Sequence, residues 1–319
     1  MSIMRGMNKP YVVIWTVIIL GEVLMYGGYG ILVNLSKVNG RLPYLPSSFV
    51  LCTEILKMII CLVILWSEKR KEMSRSITLY SALPFAVPAL CYCVNNNLAV
   101  VLQSHMDPAT YMVLGNLKIV STAVLYKFIM KKHIKTTKWF AVGLLATGGV
   151  LNSYTALQAK SLSLSEIHAT WQGMLLLCCY CFISGFSGVY TEYILKQNFE
   201  LSVYYQNALL YMFGVVFNSA VWIIQALRQT TVTKDTQELY IFNGYSVFTW
   251  ALIITQAATG LIMSLIMKHL NNLVRLFIVS SSPLVTTMLA HVFFSLHVPF
   301  EFVLSGISVA AAIFLYSYN

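Results

Sequence analysis

Ten apolar segments run through this sequence, at residues 11–35, 46–66, 79–104, 108–130, 138–156, 169–195, 203–226, 246–267, 273–294 and 298–317. Each is long enough for a helix to cross a hydrocarbon layer of about 30 Å. Peptide groups find no water in such a layer, so the segments are restricted to helices that satisfy their own hydrogen bonds. With 58% of residues hydrophobic and 10% charged, the chain is far below the roughly 25% charge of a soluble domain. The expected fold class is an all-α polytopic membrane protein with ten transmembrane helices. The whole of 1–319 forms one transmembrane domain. The first apolar run exceeds a signal-peptide core and lacks a small-residue cleavage site, so it is read as a span.

The net charge of +10 is distributed by side, which argues against a nucleic-acid partner. Counting Lys and Arg on alternate sides places fourteen on the side of the N-terminus and five opposite, with Lys57 and Lys118 inside spans. The positive-inside rule then makes the N-terminus cytoplasmic, and ten spans return the C-terminus to the same side. The seven cysteines all fall in spans, without the spacing of metal ligands, and read as small buried hydrophobes. The six histidines are scattered, carboxylates are few, and no catalytic or cofactor-binding motif is present. The expectation is a chain that is not an enzyme and needs no metal or cofactor.

Lys118 poses the sharpest problem. It follows Asp107-Pro108, read as a helix cap and first turn, and so lies roughly 16 Å into the span. A charge at that depth costs at least about 2.5 kcal/mol. Tyr111, Gly115, Lys118 and Thr122 share one helical face by spacing, which suits a ligand with a flat ring and an anionic group. A snorkelling lysine fits a mid-span position poorly, and no carboxylate other than Asp107 shares the segment. Glu54 and Lys57, three residues apart, form either an intrahelical pair or part of a pathway lining. CYCVNNNLAV supplies Tyr92, Asn95, Asn96 and Asn97. These amides point in different directions, so at least one is expected to bond a neighbouring helix, leaving others to read a base edge. Asn207 and Tyr211 lie one turn apart. In SGFSGVYTE, Ser184 and Gly188 read as a close-packing face, and Glu192 as a solvated group near the membrane edge. MKHLNNLVR is either a basic anchor or a funnel for an incoming anion.

A weak internal repeat relates LKIVSTA (117–123) to LFIVSSS (276–282). Two halves of five helices each, about 11–156 and 169–317, must then be inverted relative to one another, with a site near the midplane between them.

LPSSFVLCTEILK, NNNLAV, MDPATYMVLGNLKI, SGFSGVYTE, YYQNALLYMFG and GLIMSLIMKH, in this order, resemble the nucleotide-sugar transporters of solute-carrier family 35, subfamily A, over residues 15–317. The resemblance implies a drug/metabolite-transporter fold in the Golgi membrane. It also implies antiport of a cytosolic pyrimidine nucleotide sugar for a lumenal nucleoside monophosphate by alternating access. UDP-sugars, CMP-linked sugars and a CDP-alditol such as CDP-ribitol all fit. By the same resemblance Lys118 meets the phosphate. Tyr92, Asn96, Tyr111, Asn207 and Tyr211 surround the nucleotide with Asn95 beside them, and Glu54 and Lys57 line the cavity. Homo- or hetero-oligomers with other nucleotide-sugar transporters are also implied. One departure stands out. Relatives read K-Y-x-D-N-x-x-K where this chain has KHLNNLVR, so Asn271 replaces an acid and Arg275 a substrate-side lysine. Arginine keeps the charge but presents a planar fork. Two other functions remain open on the sequence: a transport-silent Golgi protein that organises transporter or glycosyltransferase complexes, and a metabolite or drug exporter of the same fold.

Overall fold

The computed structural model describes residues 9–38, 41–67, 79–106, 108–158, 170–233, 240–294 and 299–318. Among these, eleven helices follow one another: α1 (Lys9–Leu35), α2 (Pro46–Ser67), α3 (Leu79–His105), α4 (Pro108–Leu114), α5 (Leu117–Ile129), α6 (Thr136–Gln158), α7 (Trp171–Gln197), α8 (Val203–Thr233), α9 (Val247–His269), α10 (Asn272–Phe294) and α11 (Phe300–Tyr318). Among the described residues, eight stretches are long and apolar enough to cross a membrane, with residues 110–129 of α4 and α5 counted as one. The chain is a multi-pass membrane protein. α3 and α6 are as long as their neighbours. They carry the amides Asn95 to Asn97 and the polar run Gly148, Gly149, Asn152 and Ser153 among their apolar residues.

The fourth apolar segment is not the single helix expected. It breaks at Gly115-Asn116, where the bonding tightens: Asn116 N–H donates to Val113 O at 3.3 Å and Lys118 N–H to Gly115 O at 3.3 Å. The Asn116 amide answers the carbonyls this frees, donating to Met112 O (2.9 Å), Val113 O (3.2 Å) and Ser153 Oγ of α6 (3.0 Å). A break inside a bilayer persists only when its peptide groups are re-satisfied in this way. A Cβ on Gly115 would lie 2.7 Å from the Tyr111 carbonyl, so glycine is needed there for the turn itself. The common face expected for Tyr111, Gly115, Lys118 and Thr122 is interrupted. Asp107, the expected cap, lies outside the described residues.

Packing follows small residues. Gly148 of α6 sits against Val309 of α11, and Ser305 and Ser308 donate to the carbonyls of Gly148 and Leu144, both at 2.8 Å. Such close approach lets dispersion and hydrogen bonds join helices where lipid offers no hydrophobic gain. Gly185 of α7 rests on the Thr122 backbone of α5, and Gly27 of α1 on Ser282 and Val285 of α10. The main contacts pair α6 with α11, α2 with α8, α3 with α7 and α8, α5 with α7, α1 with α9 and α10, and α2 with α9. Val13, Val17, Leu20 and Leu24 of α1, with many like them, face outward toward lipid. All seven cysteines are free thiols; Cys178 and Cys179 are exposed, unlike the buried sites expected of them.

For orientation, the near end of the bundle is the one where α1 begins and α9 finishes, joined by Trp15 on His269 at 5.6 Å.

Candidate functional site

A cavity of about 260 Å³ lies between α1, α2, α3, α7, α8, α9 and α10, in the middle of the bundle. Seven of the residues picked out from the sequence line it: Glu54, Lys57, Tyr92, Asn95, Asn96, Tyr211 and Arg275. Lys57 Nζ donates to Glu54 Oε1 at 2.5 Å and stands 4.3 Å from the centre of the Tyr211 ring. Cation and ring attract through the ring's quadrupole, which orders both. The pair is seated against two glycines. A Cβ on Gly214 of α8 would meet Glu54 Oε2 at 2.8 Å, and one on Gly260 of α9 would meet Lys57 Cδ at 3.0 Å.

The three asparagines of α3 divide as helical geometry requires. Asn97 accepts from Gln225 Nε2 of α8 at 3.2 Å and donates to Cys93 O, so it bonds a neighbouring helix, as Asn95 does through Tyr180 of α7. Asn95 and Asn96 face the cavity, where Asn95 Oδ1 accepts no hydrogen bond within the protein. Tyr92 OH lies 3.3 Å from Thr191 Oγ1 across the same space.

Arg275 enters from the first turn of α10. Gly188 makes room for it, since a Cβ there would fall 2.5 Å from Nη1. Nη1 donates to Asn272 Oδ1 at 3.1 Å, and no carboxylate among the described residues lies within 4.0 Å of the guanidinium. Lys118 is half-buried beside the cavity, in the electrostatic neighbourhood of Arg275 and Cys181, and likewise has no carboxylate partner among the described residues. Lys118, Tyr111 and Asn207 are not among the lining residues. Tyr111 packs on Tyr180 with ring centres 5.9 Å apart. Asn207 is fully buried, with both side-chain polar atoms unpartnered among the described residues.

The cavity also holds residues that sequence reasoning passed over: Tyr26, and on α9 Gln256, Thr259, Gly260, Met263, Ser264 and Met267. Their spacing of three and one residues traces one helical face, a signal that was present in QAATGLIMSLIM.

Beyond Arg275 the near end is closed by a buried polar network. Glu192 is fully buried, not solvated. It accepts from Lys196 Nζ at 2.6 Å and from Asn272 N–H at 2.6 Å, and Lys196 also donates to Leu270 O at 2.5 Å. Lys268 donates to Leu201 O and to Gln206 Oε1 (3.0 Å), while the Gln206 amide donates to Leu195 O and Asn198 O. Lys268 is 3% exposed, so it is no headgroup anchor. Asn271 Oδ1 caps α10 by accepting Val274 N–H at 2.8 Å; it supplies the acceptor an aspartate would, without the charge. This network fastens the ends of α7 and α9 to the starts of α8 and α10.

An apolar helical bundle around a mid-bundle chamber rich in tyrosines, amides and cations defines a membrane carrier for a polar, anionic solute, and its sequence places it in a known class. The chain belongs to the nucleotide-sugar transporter family, which it matches over residues 11–317. Among its relatives is the "Probable UDP-sugar transporter protein SLC35A4" of Xenopus tropicalis, 39% identical over 306 residues, 95% of this chain and 92% of that one. The protein of the same description from Danio rerio is 36% identical over 304 residues (95% and 93%), and that from Homo sapiens 36% over 324 residues (98% and 97%). A crystal structure 10% identical in sequence superposes with a TM-score of 0.67 over 95% of this chain and 96% of that one, a likeness of fold alone.

Proposed function

We propose that this protein is a Golgi antiporter that exchanges a cytosolic pyrimidine nucleotide sugar for a lumenal nucleoside monophosphate by alternating access. One observation carries the reading, an imbalance of charge at the cavity. Lys57 is answered by Glu54, whereas Arg275 and nearby Lys118 have no carboxylate among the described residues. Unanswered cations in a desolvated site favour an anionic guest, because its phosphate returns the electrostatic free energy lost with water. Tyr92, Tyr211, Asn95 and Asn96 suit the base, the rings by stacking and the amides by donor and acceptor together. Nucleotide sugar and monophosphate share the phosphate handle, so one site serves both directions. A UDP-sugar, a CMP-linked sugar or a CDP-alditol all meet these requirements.

The packing supports two inverted five-helix repeats within ten spans. Exchanging α1 for α7, α2 for α8, α3 for α9, α4 and α5 for α10, and α6 for α11 carries the main contacts into one another: α3 with α7 into α9 with α1, and α5 with α7 into α10 with α1. Ile119 and Ile278 are both buried, and Thr122 and Ser281 each donate to the carbonyl four residues back, at 2.6 and 2.7 Å. The Lys and Arg distribution favours a cytoplasmic near end. The conformation is then the one closed to the cytosol, and opening requires the network around Glu192 to part.

The test is uptake of labelled UDP-sugars, CMP-linked sugars and CDP-ribitol into proteoliposomes preloaded with UMP or CMP. Exchange is expected for at least one of them. Lys118→Gln is expected to lower it by about tenfold or more, the scale of a lost charge-assisted hydrogen bond. Absence of exchange, with Golgi complexes still assembled, would favour the organising role instead.

A further inference from the structure

Glu22 sits in the middle of α1 and is fully buried, yet neither carboxyl oxygen has a hydrogen-bond partner among the described residues. No cation among the described residues lies within 4.0 Å of it. Its neighbours on the same helix, Ile18, Ile19, Val23 and Tyr26, pack into an apolar cluster with Met263 and Ile266 of α9 and Ile278 of α10. A bare carboxylate in that seam would lack both water and counter-ion, and a leucine would pack there without penalty. An ionisable group retained under such terms within a membrane marks a proton or ion pathway by default.

The surroundings show where its charge would be answered. Tyr26, one turn further along α1, lines the cavity together with Arg275 and lies in the electrostatic neighbourhood of Glu22, Arg275 and Tyr92. α1 packs on α9 and α10. From α9 the charged or titratable groups are Lys268, engaged with Leu201 and Gln206, and His269, stacked on Trp15 two turns nearer the end. From α10 there is Arg275, and from α3 across the cavity Tyr92. Arg275 alone among these is a cation on the cavity wall without a carboxylate.

We infer that Glu22 is a proton-binding site coupled to the conformational cycle of the carrier, loaded in this closed conformation and emptied when α1 and α10 part at the near end. The proton moves between a Glu22 carboxyl oxygen and water, and no other bond changes. Once α10 swings away, the carboxylate is left facing water, where the charged form is stable. Proton binding therefore favours the closed conformation: acid enriches it and alkali depletes it. The inference rests on the transporter reading for its cycle, but not for the proton site itself.

Two measurements separate the claims. The first treats purified full-length protein in lipid with dicyclohexylcarbodiimide, which adds to protonated carboxyls in apolar surroundings, and maps the adduct by mass spectrometry. Glu22 is expected to label, with the yield falling about tenfold per pH unit above its titration midpoint. An unlabelled Glu22, or a yield indifferent to pH, overturns the proton site whether or not any nucleotide binds. The second adds UMP or CMP to weakly buffered wild type, Glu22→Gln and Glu22→Asp, following pH with an indicator dye and binding by thermal stabilisation. Proton exchange is expected from wild type and Glu22→Asp, and none from Glu22→Gln, with all three stabilised by nucleotide. Equal proton exchange in wild type and Glu22→Gln overturns the coupling. If no nucleotide stabilises any form, the transporter reading fails and the carbodiimide result alone decides the proton site.

Discussion

Gly214 and Gly260 show how little room a buried ion pair leaves around itself. Glu54 and Lys57 are neighbours on one helix by sequence spacing, but their seat is made by glycines on two other helices. Adding one methyl at Gly214 forces it to within 2.8 Å of Glu54 Oε2, and overpacking of this kind typically costs about 1–3 kcal/mol. Gly214→Ala is therefore expected to weaken nucleotide-dependent thermal stabilisation by about tenfold in apparent affinity. An unchanged titration would show that the pair moves aside freely. Arg275 is a second test. Arg275→Lys keeps the charge but loses the planar fork that reaches Asn272 at 3.1 Å. Affinity for a monophosphate is expected to drop about fivefold to tenfold by isothermal titration, whereas equal affinity would mean that charge alone matters there. Both sites were legible as residues in the sequence, Arg275 through its departure from the family pattern. Neither seat was legible, because the glycines lie far along the chain from the side chains they accommodate: Gly214 and Gly260 from the ion pair, Gly188 from Arg275.

At the scale of elements, the ends of α7 and α9 and the starts of α8 and α10 act as one body. Glu192 joins them through Lys196 and the Asn272 peptide. Sequence placed Glu192 near the membrane edge and suggested a solvated group, since position along a helix does not reveal which helix will cover it. Removing one member of a buried pair leaves the other unanswered and costs about 3 kcal/mol. Glu192→Gln is expected to lower the thermal midpoint and to speed maleimide labelling of a cysteine introduced at Leu270, now 4% exposed. Slow labelling in that variant would mean that Lys268 and Gln206 hold the closure by themselves. The break between α4 and α5 teaches a related lesson. Pro108 and Gly115 were visible, but whether a membrane helix breaks at a glycine depends on what re-bonds the freed carbonyls. Here that is the Asn116 amide, supported by Ser153 of α6.

For the whole molecule, the crossing of α6 is the most informative point of topology, since the proposed inverted repeat needs it as the fifth span of the first half. Lys132 precedes α6 and Trp171 follows it, and both are exposed. In a variant free of other cysteines, and on the proposed orientation, Lys132→Cys is expected to react with an impermeant maleimide from the cytosolic side of sealed membrane vesicles. Trp171→Cys should react only after the vesicles are opened. Labelling of both from one side would remove α6 as a span, and with it the five-helix repeat.

Membrane residence, the helical class, family membership and most of the polar residue types at the cavity are local properties of the sequence, readable as apolar length, charge side and short motifs. They follow because a bilayer imposes the same demands on every segment it contains. Tertiary structure decided the rest: that Glu192 is sealed inside, that Gly214 and Gly260 receive an ion pair, that Lys118 stands beside the cavity, and that Glu22 has no hydrogen-bond or ionic partner among the described residues. Those facts depend on which helix faces which. Contacts between residues far apart in the chain arise from the shape of the assembled bundle, and no single segment carries them.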